Sequence, residues 1–177
     1  MAMIKIKKIK NSTDLDKIWK EKIEEAFYVI FNKKTSSLKY QELYDVFRLI
    51  VISKLGDYIE KKIAKSFRNI IYPEIRRLVQ VKNFNLDTFL TLADDYKNLI
   101  DKVNKIGVYY NSKYVISKRS YPTEYMGYLV FQEALKLQNF SKNLTFLILE
   151  EINKYREGDT SQIITIRRVL DIYVIMI

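Results

Sequence analysis

The chain has 177 residues, of which 48% are hydrophobic, and a formal net charge of +10 at pH 7. It contains no cysteine and no histidine, which excludes disulfides, thiolate nucleophiles, imidazole bases and the usual zinc sites. Four glycines and two prolines are too few for the turns between many short strands. These features predict an all-α protein with one continuous core.

The first part of the chain predicts two amphipathic helices. Apolar residues recur every three or four positions over 15–31, which indicates a helix of about five turns. A second apolar pattern covers 40–55, with Ser36 or Ser37 as its N-terminal cap and Gly56 as its C-terminal stop.

The middle of the chain predicts two longer helices. One runs over 57–78, where Pro73 either kinks the helix or restarts it. The other covers 86–114 if Gly107 is tolerated inside it. Its length is typical of an elongated helical bundle.

Three further helices are predicted toward the end of the chain. A proline at Pro122 precedes a helix over 125–135. A break over 139–143 separates it from a helix that ends at Gly158, and a final helix over 161–177 follows, with apolar residues around much of its circumference.

The first ten residues alternate lysine with apolar residues and do not form the unbroken apolar stretch of a secretory signal. No segment reaches the ~20 apolar residues of a membrane span. We therefore expect an intracellular protein of the cytoplasm or nucleus, without membrane association. We divide it into a basic tail over 1–12 and a single helical domain over 13–177.

Neither catalysis nor a cofactor is predicted. The adjacent carboxylates Glu24 and Glu25, like Asp94 and Asp95, point about 100° apart on a helix and cannot share a substrate. The four glycines are too far apart to form a phosphate-binding loop. The positive charge suits nucleic acid or an acidic protein partner, and it is equally typical of solvated lysines on helix faces.

Five short motifs occur in a characteristic order and spacing. They are Leu15-Asp16-Lys17-Ile18-Trp19, Glu42-Leu43-Tyr44, Asp94-Asp95-Tyr96, Tyr109-Tyr110-Asn111-Ser112-Lys113-Tyr114-Val115 and Tyr155-Arg156-Glu157-Gly158. Together they resemble the N-terminal part of a cullin, an elongated scaffold of ubiquitin ligases. In cullins the first helical repeat holds a substrate adaptor, and a distant C-terminal domain holds the RING subunit. The resemblance implies an elongated bundle of the cullin-repeat type.

The motif over 109–115 is most similar to the cullin that binds Skp-type adaptors, because Asn111 stands where several other cullins have aspartate. The resemblance therefore implies a Skp-type adaptor with its F-box protein as the partner. BTB-type and elongin-type adaptors are the alternatives.

In cullins the adaptor is held by the second helix and by the end of the fifth. The matching stretches here are 38–52 and 109–115. The adaptor-binding residues implied are Leu38, Tyr40, Gln41, Tyr44, Phe47, Arg48, Tyr110, Asn111, Lys113 and Tyr114. The spacing agrees, since Tyr40, Tyr44 and either Phe47 or Arg48 lie on one helical face.

Three positions depart from the cullin pattern. Arg48 replaces an aromatic residue and Gln41 replaces an apolar one, and both changes bear on adaptor affinity and choice. Ala93 replaces a tryptophan, a change that we expect to alter only the core.

We expect a truncated cullin mimic, encoded by a virus with an AT-rich genome, that binds the adaptor and does not recruit the RING subunit. Such a chain would compete with the host cullin and inhibit ubiquitination. Two alternatives are an N-terminal fragment of an ordinary cullin scaffold and a basic helical nucleic-acid-binding protein, of which the second is disfavoured.

Overall fold

The structure, a computed structural model, describes residues 12–80 and 84–175, and these contain helices and turns without a strand. The α-helices are α1 (Ser12–Ile18), α2 (Glu25–Phe31), α3 (Tyr40–Ile52), α4 (Gly56–Gln80), α5 (Leu86–Ile106), α6 (Ile116–Lys118), α7 (Thr123–Leu135), α8 (Phe140–Arg156) and α9 (Ile163–Ile175). A π-helical segment, Trp19–Glu24, joins α1 to α2, and a second, Tyr110–Val115, precedes α6. The all-α prediction is confirmed. The predicted basic tail lies outside the described residues, apart from Ser12, which begins α1.

Two predictions about the ends of α3 are wrong. The N-cap position is held by Lys39, which makes no side-chain hydrogen bond there, and not by one of the two predicted serines. Lys54 takes the left-handed conformation (φ 62°) at the C-terminal turn, and Gly56 is the first residue of α4. A charged residue thus adopts the backbone conformation that glycine was expected to provide.

The two longer predicted helices each contain a residue that disfavours the α-helical conformation. Pro73 lies inside α4, which remains a single helix through Gln80. At Gly107 the backbone N–H donates to the Val103 carbonyl at 2.8 Å, and the Asn111 N–H donates to the Gly107 carbonyl at 2.9 Å. Both bonds have helical i to i−4 spacing. α5 nevertheless ends at Ile106, Gly107 forms a turn, and a π-helical segment follows, so the single α-helix predicted over 86–114 is interrupted at Gly107.

The last helices follow the predicted order with one shorter break. α8 already begins at Phe140, directly after Asn139 in the left-handed conformation, so the break predicted over 139–143 was too long. Gly158 (φ 104°) follows the end of α8 as expected, and the Asp159 N–H donates to the Lys154 carbonyl at 3.0 Å. No described helix is both long enough and apolar enough to cross a bilayer.

The chain divides into two compact units. Unit 1 comprises Met1–Phe67 and Asn98–Gly127, and unit 2 comprises Arg68–Lys97 and Tyr128–Ile177. The prediction of a single domain over 13–177 stays a prediction.

Aromatic residues fill the core of unit 1. The Trp19 ring packs 5.7 Å from the Phe47 ring, and its indole N–H donates to the buried Ser66 hydroxyl at 3.1 Å. The rings of Phe27 and Phe67 lie 5.0 Å apart between centroids. These contacts hold α2, α3 and α4 together.

Unit 2 has its own aromatic core and a surface ion-pair cluster. Tyr96 stacks on Phe131 with ring centroids 5.1 Å apart, and Ala93 is buried in the same unit. Arg68 donates two hydrogen bonds to the Glu133 carboxylate, at 3.0 and 3.2 Å.

Candidate protein-interaction surface

The two stretches that carry the predicted site residues meet within unit 1. α3 packs against the π-helical segment Tyr110–Val115. The rings of Tyr44 on α3 and Tyr109 next to that segment meet edge to face, with centroids 6.4 Å apart. Residues 65 positions apart in the sequence therefore form one surface.

On α3, one face points to solvent and the opposite face to the core. Tyr40 is 36% exposed, Gln41 and Arg48 are exposed, and Tyr44 is half-buried. Phe47 is completely buried against Trp19. Of the two alternatives for the third position of this face, Arg48 occupies it and Phe47 does not. Leu38, just before α3, is half-buried.

The neighbouring tyrosines at 109 and 110 have opposite surroundings. Tyr110 is completely buried, and the nearby Ser120 hydroxyl, like every other group among the described residues, falls outside hydrogen-bond geometry with its hydroxyl. Burial raises the pKa of Tyr110 to about 12. Tyr109, by contrast, lies under the Arg48 guanidinium, which is 5.9 Å from its ring centroid. Tyr109 is thus a surface residue and Tyr110 a core residue.

Tyr114 is half-buried and is held by three neighbours. Its ring stacks on Tyr110 with centroids 5.2 Å apart, and its hydroxyl donates to the Asp57 carboxylate. A Cβ on Gly56 would overlap three carbons of the Tyr114 ring. Tyr114 therefore contributes to the structure of this region whether or not it touches a partner.

The Asn111 side chain is the centre of a local hydrogen-bond network. Its amide donates to Asn104 Oδ1 at 2.7 Å and to Thr123 Oγ1 at 3.1 Å. Its carbonyl oxygen accepts the Thr123 backbone N–H at 3.0 Å, at the first residue of α7. A side chain outside the helix thus caps α7, which ties Asn111 to the fold. Lys113, two positions later, is exposed.

A shallow, open depression of about 330 Å³ lies on this surface. It is lined by Tyr40, Gln41, Tyr44, Lys105 and Ile106. We call the depression, together with Arg48, Lys102 and Tyr109, the α3–α5 surface. The depression is open rather than enclosed, which suits contact with the surface of a protein partner better than enclosure of a small molecule.

Lys102 and Arg48 hold the aromatic residues of the α3–α5 surface in place. The Lys102 ammonium donates to the Tyr40 hydroxyl at 3.3 Å and lies 5.5 Å from the ring centroid. The Arg48 guanidinium makes a similar cation–π contact with the Tyr109 ring. Cation–π contacts of this kind reduce the rotamers open to an exposed tyrosine, which lowers the entropy cost of binding.

Four residues of the α3–α5 surface were not among the predicted site residues: Lys102, Lys105, Ile106 and Tyr109. The signal for them was present in the sequence. They precede Lys113 by eleven, eight, seven and four positions, which places all of them along one helical face. They were not predicted because the cullin resemblance is carried by the motif over 109–115 and not by the turns that precede it.

Comparison with known proteins gives one family. A model of the cullin alpha solenoid domain matches residues 20–177. No curated protein matches the chain in a sequence search. Because the family model covers most of the chain, the chain belongs to the cullins, whose members are scaffolds of ubiquitin ligases that bind adaptor-type proteins.

Proposed function

We propose that the chain binds a Skp-type adaptor carrying an F-box protein and competes with a full-length cullin for it. One observation carries the proposal. The two stretches that hold the adaptor in related cullins, 38–52 and 109–115, lie against each other in unit 1. Their exposed face is rich in tyrosine and arginine, the residue types that most often dominate the energy of protein interfaces.

We expect competition because cullins bind the adaptor and the RING subunit through different domains. Cullins hold the RING subunit in a C-terminal domain, whereas the match here is to the α-solenoid domain. When these 177 residues act by themselves, they occupy the adaptor without bringing the RING subunit. Ubiquitination of the F-box protein's targets then falls, in the cytoplasm or nucleus where the ligases act.

Calorimetric titration with a Skp-type adaptor bound to an F-box protein tests the first step. We expect one-to-one binding that the Tyr40→Ala/Tyr44→Ala variant loses, at about 2 kcal/mol for each tyrosine if both are hot spots. Tyr28→Ala is the matched control, since Tyr28 is 43% exposed on α2 and lies outside the α3–α5 surface.

Tyr114 needs a milder substitution than alanine because its ring supports the fold. Tyr114→Phe keeps the stacking on Tyr110 and removes only the bond to Asp57. Circular dichroism of each variant separates lost binding from lost folding. If the wild-type chain does not bind, the Skp assignment is wrong, and BTB-type adaptors, elongin-type adaptors and nucleic acid are the next ligands to titrate.

A reconstituted ligase tests the second step. Excess wild-type chain should lower the rate of substrate ubiquitination by a full cullin, and excess Tyr40→Ala/Tyr44→Ala should not. Tight adaptor binding without inhibition would refute the competition.

A further inference from the structure

Lys105 contributes a positive charge to the lining of the depression. Its side chain is exposed and lines the depression beside Gln41 and Ile106. Among the described residues, no carboxylate forms a salt bridge with its ammonium group. The charge is therefore available to a partner.

The charged members of the α3–α5 surface, Arg48, Lys102 and Lys105, are all basic, and the nearby Glu124 accepts a hydrogen bond from Asn104 at 3.3 Å. Residues 98–119 include five basic side chains against one acidic side chain, Asp101. The acidic residues of α3 are engaged locally, since Glu42 pairs with Lys39 at 3.1 Å and Asp45 accepts from the Gln41 amide at 3.3 Å. The α3–α5 surface thus presents positive charge around an apolar depression.

We propose that the α3–α5 surface selects an acidic segment of the adaptor: an apolar side chain enters the depression against Tyr44 and Ile106, and a neighbouring carboxylate pairs with Lys105. This inference rests on the proposed function and adds the chemistry of the partner. The depression supplies the contact area, and Lys105 supplies the charge that an acidic segment matches. A partner without that carboxylate would lose the ion pair at Lys105.

Association kinetics at low and high salt test the inference with the same adaptor complex. Lys105→Gln should weaken binding about threefold at low salt, as an exposed ion pair implies. Lys105→Glu should weaken it about tenfold, mainly through slower association. Lys105→Arg should bind like the wild type, and the differences should shrink at high salt.

Lys61→Gln is the matched control, because Lys61 is exposed on α4 in unit 1 and does not line the depression. Equal effects of Lys61→Gln and Lys105→Gln would show that only overall charge matters and would overturn the inference. The proposed function would still stand if Tyr40→Ala/Tyr44→Ala abolished binding.

A single-stranded polyuridine oligonucleotide separates the acidic protein partner from nucleic acid. We expect the chain to bind the adaptor complex far more tightly than the oligonucleotide at moderate salt. Tighter binding of the oligonucleotide, with a steep salt dependence shared by Lys61→Gln and Lys105→Gln, would overturn the inference.

Discussion

The ring of Tyr114 lies directly over Gly56, in the space that a Cβ at position 56 would occupy. The contact joins the start of α4 to the π-helical segment Tyr110–Val115, and the bond from the Tyr114 hydroxyl to Asp57 adds to it. Glycine is required here for space rather than for backbone conformation, because Gly56 is an ordinary helical residue without a positive φ. The position of the π-helical segment, which lies against α3, depends on this contact.

Gly56→Ala should therefore destabilise the chain by about 1–3 kcal/mol, as overpacking of a close contact does. In a Tyr114→Ala background the added methyl group has room, so the double variant should be less destabilised than the sum of the single variants. Urea unfolding of all four species gives the coupling energy. Additive effects would mean that Tyr114 does not occupy the space over Gly56.

Asn111→Ala should cost about 1–2 kcal/mol of unfolding free energy. The substitution removes the cap of α7 and leaves the Thr123 N–H without its acceptor. Ser112→Ala is the neighbouring control, since Ser112 is exposed and its effect should stay within about 0.5 kcal/mol. Thermal unfolding of both variants measures the difference, and equal melting temperatures would contradict the capping role.

Tyr110→Phe should leave the stability at pH 7 unchanged or raise it by up to about 1 kcal/mol. The buried hydroxyl lacks a partner in the described structure, so its removal deletes an uncompensated polar group. Denaturant unfolding of the wild type, Tyr110→Phe and Tyr28→Phe tests this, with Tyr28→Phe as the control at an exposed tyrosine. A clear loss of stability in Tyr110→Phe would show that the hydroxyl is hydrogen-bonded in solution.

The same residue gives a pH dependence with a definite sign. Burial raises the pKa of Tyr110 to about 12, whereas a tyrosine in the unfolded chain ionises near its ordinary value of about 10. Its contribution to the unfolding free energy is therefore complete below pH 10 and falls as the pH rises toward 12. Between pH 10 and 12 the wild type should therefore lose more unfolding free energy than Tyr110→Phe. Parallel curves would contradict the raised pKa.

Ser66→Ala should destabilise the chain by about 1–3 kcal/mol. Ser66 is 2% exposed and accepts the Trp19 indole N–H, so alanine leaves a buried donor without a partner. Ser66→Thr keeps the acceptor oxygen and tests whether the space allows an added methyl group. Denaturant unfolding should rank the wild type above Ser66→Ala, and equal stability would show that water or another group replaces the hydroxyl.

The helices themselves were predictable because their signals are local. The apolar periodicity that begins at Leu86 predicted the helix that the structure has as α5, over Leu86–Ile106. The helix ends were less predictable. Lys54 adopts a left-handed conformation that its residue type disfavours, since the turn between α3 and α4 is imposed by their packing.

The family and the two stretches of the candidate surface followed from the sequence alone, because both depend on residue types at fixed separations along the chain. Which side chains face a partner was decided by the tertiary structure. Tyr109 and Tyr110 are identical in type and adjacent, yet one lies under Arg48 and the other is completely buried. Neighbouring helical residues point about 100° apart, so a rotation of the helix by about that angle would exchange their surroundings. Only the packing of the whole unit sets that rotation, and with it the division between core and surface.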